Sequence, residues 1–240
     1  MYESITEIPF SAIGPDNRLK LHEAVRLMVD CCQFQEHHER NLREFLRSNG
    51  IAIFLFSLQL DILRWPEQRE KVATAVKIYG CKSIYGLRRL TIRDEAGRLC
   101  MIANATGAFF DVRQGKALKL DPAAFGLVYD EAEPMECLPR KIPVPAEGGV
   151  PCPPFLATPS SLDSNGHLTS AMYFAVAGDA LPPGTPFDRV RMEFKRQVKP
   201  GQTVIPMRFD APGGKTLVDL RDAEGLSFAA AEFSLMPTSP

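Results

Sequence analysis

Asp163, Asn165 and His167 follow one another at steps of two within Ser161-Leu162-Asp163-Ser164-Asn165-Gly166-His167-Leu168-Thr169. A carboxylate, a carboxamide and an imidazole therefore crowd one short loop. Directly after it, Leu168, Met172 and Val176 recur at steps of four and open a helical stripe. The first amides of a helix lack backbone acceptors, and the dipole there favours negative charge. Hydrolysis of an acyl compound needs an activated water, donors for the developing oxyanion and a proton for the leaving group. Asp163 could orient or activate water, and Asn165 could hold the attacking group or the carbonyl. Imidazole is the side chain that exchanges protons near neutral pH, and Gly166 permits close backbone approach. The same residues have an ordinary reading. Asp and Asn before a helix are common caps, and a lone His there is often a surface group. Spacing alone leaves both readings open.

The elements that must position this loop occur twice. Residues 3–10 read as a short strand, Gly14-Pro15-Asp16-Asn17 as a turn, and Leu21, Val25, Met28 and Cys32 as a helical stripe. A further helical piece with Leu42, Phe45 and Leu46 is closed by Asn49-Gly50. The period then changes. Ala52, Phe54, Phe56, Leu58, Leu60 and Ile62 alternate as a strand with one buried face, ended by Trp65-Pro66. Strands follow near 71–79, 83–93 and 98–111, the last two joined by a turn at Asp94-Glu95-Ala96-Gly97. The second half repeats the order: a strand at 151–158, the turn Ser164-Asn165-Gly166, the helix halted by Pro182-Pro183, and the alternating Val190, Met192, Phe194 and Val198. Strands near 203–209, 215–221 and 226–235 complete it, with a turn at Asp222-Ala223-Glu224-Gly225. Where the second copy has Asn165-Gly166-His167-Leu168, the first has Asp16-Asn17-Arg18-Leu19. The connector, about 112–150, carries Pro122, Pro134, Pro139, Pro143 and Pro145 with Gly148-Gly149, which is linker composition.

Composition narrows the classes. In 240 residues the hydrophobic share is 45%, enough for a real core. The net charge of −1 gives nucleic acid no electrostatic hold. The start Met1-Tyr2-Glu3-Ser4 lacks the features of a secretory signal, and the apolar run Ile51–Phe56 is too short to span a bilayer. A cytoplasmic protein without membrane partners is expected. The six cysteines show no C-x-x-C spacing, so reduced, mostly buried thiols are expected, with no metal and no cofactor. His37-His38 reads as a solvated helix face, and no G-x-S-x-G or phosphate-binding loop is present.

The stretch around Asp163 resembles the motif of the acyl-ACP thioesterases, roughly D-x-D-x-N-x-H-V-N-N with a Tyr shortly after. Asp163, Asn165 and His167 match the motif's catalytic positions, and Tyr173 its downstream aromatic. Ile53 to Tyr79, with Arg64-Trp65-Pro66 inside it, is similar to the family's aromatic strand followed by R-Y-P. Met192-Glu193-Phe194-Lys195-Arg196-Gln197 resembles L-E-Y-R-R-E. The resemblance covers nearly the whole chain. It implies an α+β fold of two tandem hotdog domains, each a long helix wrapped by an antiparallel sheet. The expected division is an N-terminal hotdog at 1–120 holding the acyl chain, a linker at 121–150, and a catalytic C-terminal hotdog at 151–240. It also implies hydrolysis of an acyl thioester on acyl carrier protein. Phe54, Phe56, Leu58 and Trp65, with Gly166, Thr169 and Tyr173, are the expected substrate contacts. A homodimer is allowed but not specified. Three departures stand out: Thr169 and Ser170 replace the two Asn after the His, Gln197 replaces the Glu of the later strand, and Val198 replaces the Cys of plant members. Gln197 can hydrogen-bond water but cannot take its proton, so the base would be Asp163 or His167. An acyl-CoA or polyketide-type substrate, or a non-catalytic acyl-carrier-binding protein, are the alternatives. Arg189, Arg191, Lys195, Arg196 and Lys199 form a basic region that is either a solvated face or a dock for an acidic carrier.

Overall fold

The computed structural model describes residues 1–121, 126 and 128–236. Pro122 of the connector lies outside them. The chain divides into two units, one made of Met1–Lys20, Leu27–Leu58 and Leu63–Cys137, the other of Leu21–Arg26, Gln59–Ile62 and the chain from Leu138 onward. Both are hotdog α+β arrangements. The first half of the chain holds β1 (Tyr2–Glu7), α1 (Leu21–His38), α2 (Arg40–Asn49), β2 (Ile51–Ile62), β3 (Lys71–Lys82), β4 (Tyr85–Asp94), β5 (Leu99–Asp111) and β6 (Lys116–Ala117). The second holds β7 (Val150–Pro151), β8 (Phe155–Leu156), α3 (Ser170–Asp179), β9 (Arg189–Phe194), β10 (Thr203–Ala211), β11 (Lys215–Arg221) and β12 (Ser227–Ser234). The antiparallel order is β1-β3-β4-β5-β2 in the first unit and β9-β12-β11-β10-β7 in the second. No helix among the described residues is long and apolar enough to cross a membrane.

Local chemistry explains most boundaries. α2 stops at Gly50, whose φ of 64° suits a residue without a Cβ. Asp94 Oδ1 accepts the amides of Ala96 and Arg98 and closes the β4–β5 turn, and Asp222 Oδ1 accepts the Leu226 amide to close the β11–β12 turn. The strand expected at 151–158 is instead two short pieces, because Pro151, Pro153 and Pro154 remove ladder donors. The first strand ends at Glu7 rather than residue 10, since Phe10–Ala12 turns into a 3-10 helix after Pro9.

The alternation expected from Val190 to Val198 breaks after Phe194. The amides of Lys195 and Arg196 both donate to the Phe228 carbonyl, at 2.9 Å each, so two residues oppose one. The first half has the same irregularity, with Leu63 and Arg64 both donating to Cys100. Each break places an arginine on the carboxylate of a hairpin turn: Arg64 on Asp94 at 3.4 Å and Arg196 on Asp222 at 2.7 Å. Beyond each break one carbonyl accepts the amide just before a helix start: Pro66 from Leu19 at 2.9 Å, and Val198 from Leu168 at 3.0 Å. Val198 is held on its other side too. Its buried amide donates to the Tyr173 hydroxyl of α3 at 3.0 Å. Burial first, then the nearby Asp163 charge, pushes the Tyr173 pKa up to about 12, against the bond from the Val198 amide.

On the sheet face away from the helices lie buried charges. In β9, Phe194 packs against Tyr173 and Phe174 of α3. Alternation therefore sends Arg189, Arg191 and Glu193 to the other side. Arg189 makes a two-pronged ion pair with Asp61, at 2.7 and 2.6 Å, with side chains only 6% and 7% exposed. Arg191 pairs likewise with Glu232. The described part of the proline-rich connector is fastened over such groups. In the first unit Asp130 exchanges two bonds with Ile78, and Glu133 meets Lys77 and Arg93. In the second the Leu138 amide reaches Gln59, the Pro139 carbonyl accepts from Arg191, and the Ile142 amide donates to Glu193. Ile142 itself is buried against Phe209, Leu217 and Ala230.

Replacing Asp61 by Asn should leave a buried guanidinium without its counter-charge and lower stability by ~3–5 kcal/mol, read by urea denaturation. Tyr173→Phe orphans the buried Val198 amide and should cost ~1–3 kcal/mol. The neutral phenol is the form the fold favours. Its stabilisation is therefore full below pH ~10 and lost as pH rises toward about 12, so the Phe variant should show a smaller alkaline loss than the wild type.

Candidate active site

The loop before α3 is a small closed turn. Leu162 and Leu168 form an antiparallel bridge, the Asp163 amide donates to the His167 carbonyl at 2.8 Å, and the Gly166 amide to the Asp163 carbonyl at 3.0 Å. Gly166 takes φ +75°, which its missing Cβ permits. The Asp163 carboxylate organises the rest: Oδ1 accepts the amides of Asn165 at 2.8 Å and His167 at 3.1 Å. The three chemistry-bearing residues are thus joined through one carboxylate oxygen, an Asx-turn use of Asp. Asp163 and Asn165 are exposed, and His167 is half-buried. The turn needs only Oδ1.

Thr169 is the N-cap of α3 in extended conformation, and its side chain makes no capping bond. Its amide donates to Ser161 O at 3.1 Å. Tyr173 lies in the first turn of α3, buried, and holds the segment that follows β9. Gln197 is the residue before Val198, so the clasp of Leu168 on Val198 brings its backbone to the turn that carries His167. Gln197 is exposed and past the end of β9, so strand parity does not govern its direction.

The first copy builds the same turn from other residues. Ile13 and Leu19 bridge, the Gly14 amide donates to Arg18 O, Asn17 donates to Gly14 O with φ +61°, and Asp16 Oδ1 accepts the Arg18 amide. Gly14, Asp16, Asn17 and Arg18 thus stand where the second copy has Asp163, Asn165, Gly166 and His167. By the matching breaks, Trp65 stands where the second copy has Gln197. Arg64 and Arg196 lie 30 and 26 residues before their hairpin Asp, so sequence spacing alone does not show that correspondence.

The first unit contains an apolar cavity of about 80 Å³ between α1, α2 and the sheet. Leu58 lines it, and Phe54 and Phe56 do not. They pack instead with Phe110 and Tyr85, at centroid distances of 5.4 to 6.2 Å. β2 contributes Ile53 and Leu55 to the cavity, and Cys32, Leu90 and Phe109 are among the other lining residues. Gln33, Glu36 and Arg88 are its polar members. Trp65 is half-buried and not in its lining. Two further lining residues that sequence reasoning missed are Gly86 and Gly107, glycines inside strands with no turn to explain them.

Other expected features resolve into structural roles. The basic region divides: Arg189 and Arg191 are buried and paired, whereas Arg196, on Asp222, Lys195, on Ser227 and near Asp219, and Lys199 are exposed. Glu70, Asp94 and Cys100 offer ligand atoms within 4.8 Å of one another, but Arg64 already sits among them, bonded to Glu70 and 3.0 Å from Cys100 Sγ. A guanidinium there answers the charge that a metal would. Of the cysteines, Cys31, Cys32 and Cys100 are buried, Cys81 and Cys152 partly so, and Cys137 is exposed; all are free thiols.

Known proteins share this architecture. A structure from Lactobacillus plantarum described as an oleoyl thioesterase matches with TM-score 0.84 and 21% identity, covering 97% of this chain and 94% of that one. An acyl-ACP thioesterase from Bacteroides thetaiotaomicron matches with TM-score 0.87 and 17% identity, over 97% and 96%. The 12:0-ACP thioesterase from Umbellularia californica matches with TM-score 0.80 and 13% identity, over 97% and 96%. At such identities these likenesses speak for the double hotdog fold. No curated protein matches the sequence. The family model described as the acyl-ACP thioesterase N-terminal domain matches residues 1–122, just over half of the chain. With that match and the repeated hotdog on which it falls, the chain belongs to the acyl-ACP thioesterase family.

Proposed function

We propose that this protein hydrolyses the thioester between an acyl chain and acyl carrier protein, releasing the free fatty acid and the carrier thiol. The observation that carries the reading is the Asp163 carboxylate holding the backbones of Asn165 and His167 in one turn at the start of α3. Water attacks the thioester carbonyl carbon. Its proton passes to Asp163 or His167, and Asn165 orients the attacking oxygen. The oxyanion that forms takes hydrogen bonds from amides at the start of α3, where Thr169 supplies no side-chain cap. Collapse breaks the carbon–sulfur bond, and the thiolate of the phosphopantetheine arm leaves, protonated by the acid form of the group that served as base. Gln197, one residue from the clasped Val198, is suited to hydrogen-bonding the water. The apolar cavity of the first unit is suited to the acyl chain.

One observation favours a second reading, a non-catalytic acyl-carrier-binding protein. Gln197 replaces the carboxylate expected from the family motif and is exposed. Free-thiol release measured on acyl-ACP and acyl-CoA decides. Release from acyl-ACP, reduced roughly 100-fold or more in His167→Ala, is expected. Asp163→Asn keeps an oxygen for the turn amides and removes the charge, so it should fold like the wild type and lose a similar factor. Release from acyl-CoA alone would change the carrier, and release from neither would leave the binding reading. Gln197→Glu should raise turnover if the missing carboxylate limits the rate; an unchanged rate would remove that role for the position.

A further inference from the structure

Gly86 on β4 and Gly107 on β5 face each other directly across the ladder, and both line the cavity of the first unit. Neither has positive φ, so backbone conformation does not require glycine at either place. Glycine inside a strand weakens it, and its usual justification is a close approach by something else. Here the close approach is by side chains of the cavity's own lining. A Cβ on Gly107 would lie 2.8 Å from Ile53 Cγ2, and one on Gly86 would lie 3.1 Å from Phe109 Cζ and 3.4 Å from its Cε2. Gly80 on β3 is different, since its Cβ would meet Leu87 at an ordinary 3.7 Å. Ile53 and Phe109 therefore lie back against bare backbone. A methyl on either glycine would press one of them into the space they now leave open.

We infer that the Gly86–Gly107 pair sets the longest acyl chain this protein accepts, by letting Ile53 and Phe109 recess from the cavity. The inference rests on reading that cavity as the acyl-chain site, but not on hydrolysis. It makes the two glycines specificity determinants for a linear alkyl chain.

The test is calorimetric binding of a graded series of saturated fatty acids to the full chain, with the fold of each variant checked by circular dichroism. Gly86→Ala and Gly107→Ala should shift the length limit toward shorter chains, with affinity for the longest accepted chain falling roughly ten-fold or more. Ile53→Ala should shift the limit the other way, and the Ile53→Ala/Gly107→Ala double variant should return toward the wild-type profile. Folded alanine variants with the wild-type length profile would overturn the inference, as would a wild type that binds no fatty acid of any length. If the glycine variants do not fold, Ile53→Ala decides alone, and no gain for longer chains overturns it. Shifted binding without any thiol release would uphold the length determinant while removing the thioesterase reading.

Discussion

Two hydrogen bonds on one residue hold the candidate site in place. Val198 accepts from the Leu168 amide and donates to the Tyr173 hydroxyl, so the segment after β9 is locked to both ends of the turn-to-helix junction. That lock sets the backbone of Gln197 beside the Asp163 turn, and bonds between Ala157 and the Gly201–Gln202 segment tie the same two stretches together. The two-amide break at Lys195 and Arg196 lets the chain leave β9 where it can be clasped, and Arg196 on Asp222 ties the break to the next hairpin. The first half has the break, the arginine and the acceptor half of the lock in the same order: Leu63 and Arg64 on Cys100, Arg64 on Asp94, Pro66 on Leu19; Pro66 has no amide to donate, so the bond to a helix tyrosine belongs to the second half. The scaffold therefore precedes the chemistry. What distinguishes the second copy is the identity of a few side chains on a shared backbone plan, with Asp163 for Gly14, His167 for Arg18 and Gln197 for Trp65.

The helix-distal sheet face follows a second constraint. A buried guanidinium or carboxylate is costly unless both its charge and its hydrogen bonds are met. Arg189 with Asp61 and Arg191 with Glu232 meet that demand in pairs, and the backbone groups of Leu138, Pro139 and Ile142 supply further partners. Prolines suit a segment that runs across strands rather than along a ladder, because few of its amides have regular partners. The same composition that suggests a loose tether thus also suits a fastened strap. Both arginines of β9 are neutralised within the fold itself.

The two units use their helix-facing sheet surfaces differently. In the second, Tyr173, Phe174 and Phe194 pack ring against ring and support the turn. In the first, paired glycines and the recessed Ile53 and Phe109 leave a cavity. One hotdog plan thus supplies a firm platform for polar groups in one copy and apolar space in the other.

Much of this was legible in the residues. Asp94 and Asp222 with their following glycines specify hairpins by local turn chemistry, Asn49-Gly50 specifies a helix end, and Asp163-x-Asn165-x-His167 marks the candidate site, because each depends on neighbours within a few positions. The structure alone decided what depends on distant partners. In the first half of β2, residues 51–56, both strand parities are apolar, so alternation there could not show that Ile53 and Leu55 rather than Phe54 and Phe56 reach the cavity. A bulge has no compositional signature, so the break before Gln197 was hidden. Arg189 reads as a surface cation until Asp61, 128 residues away, is brought to it. Sequence determined the repeated elements and the polar triplet, whose causes are local. Tertiary structure decided which side chains face which, because that depends on register and on partners far along the chain.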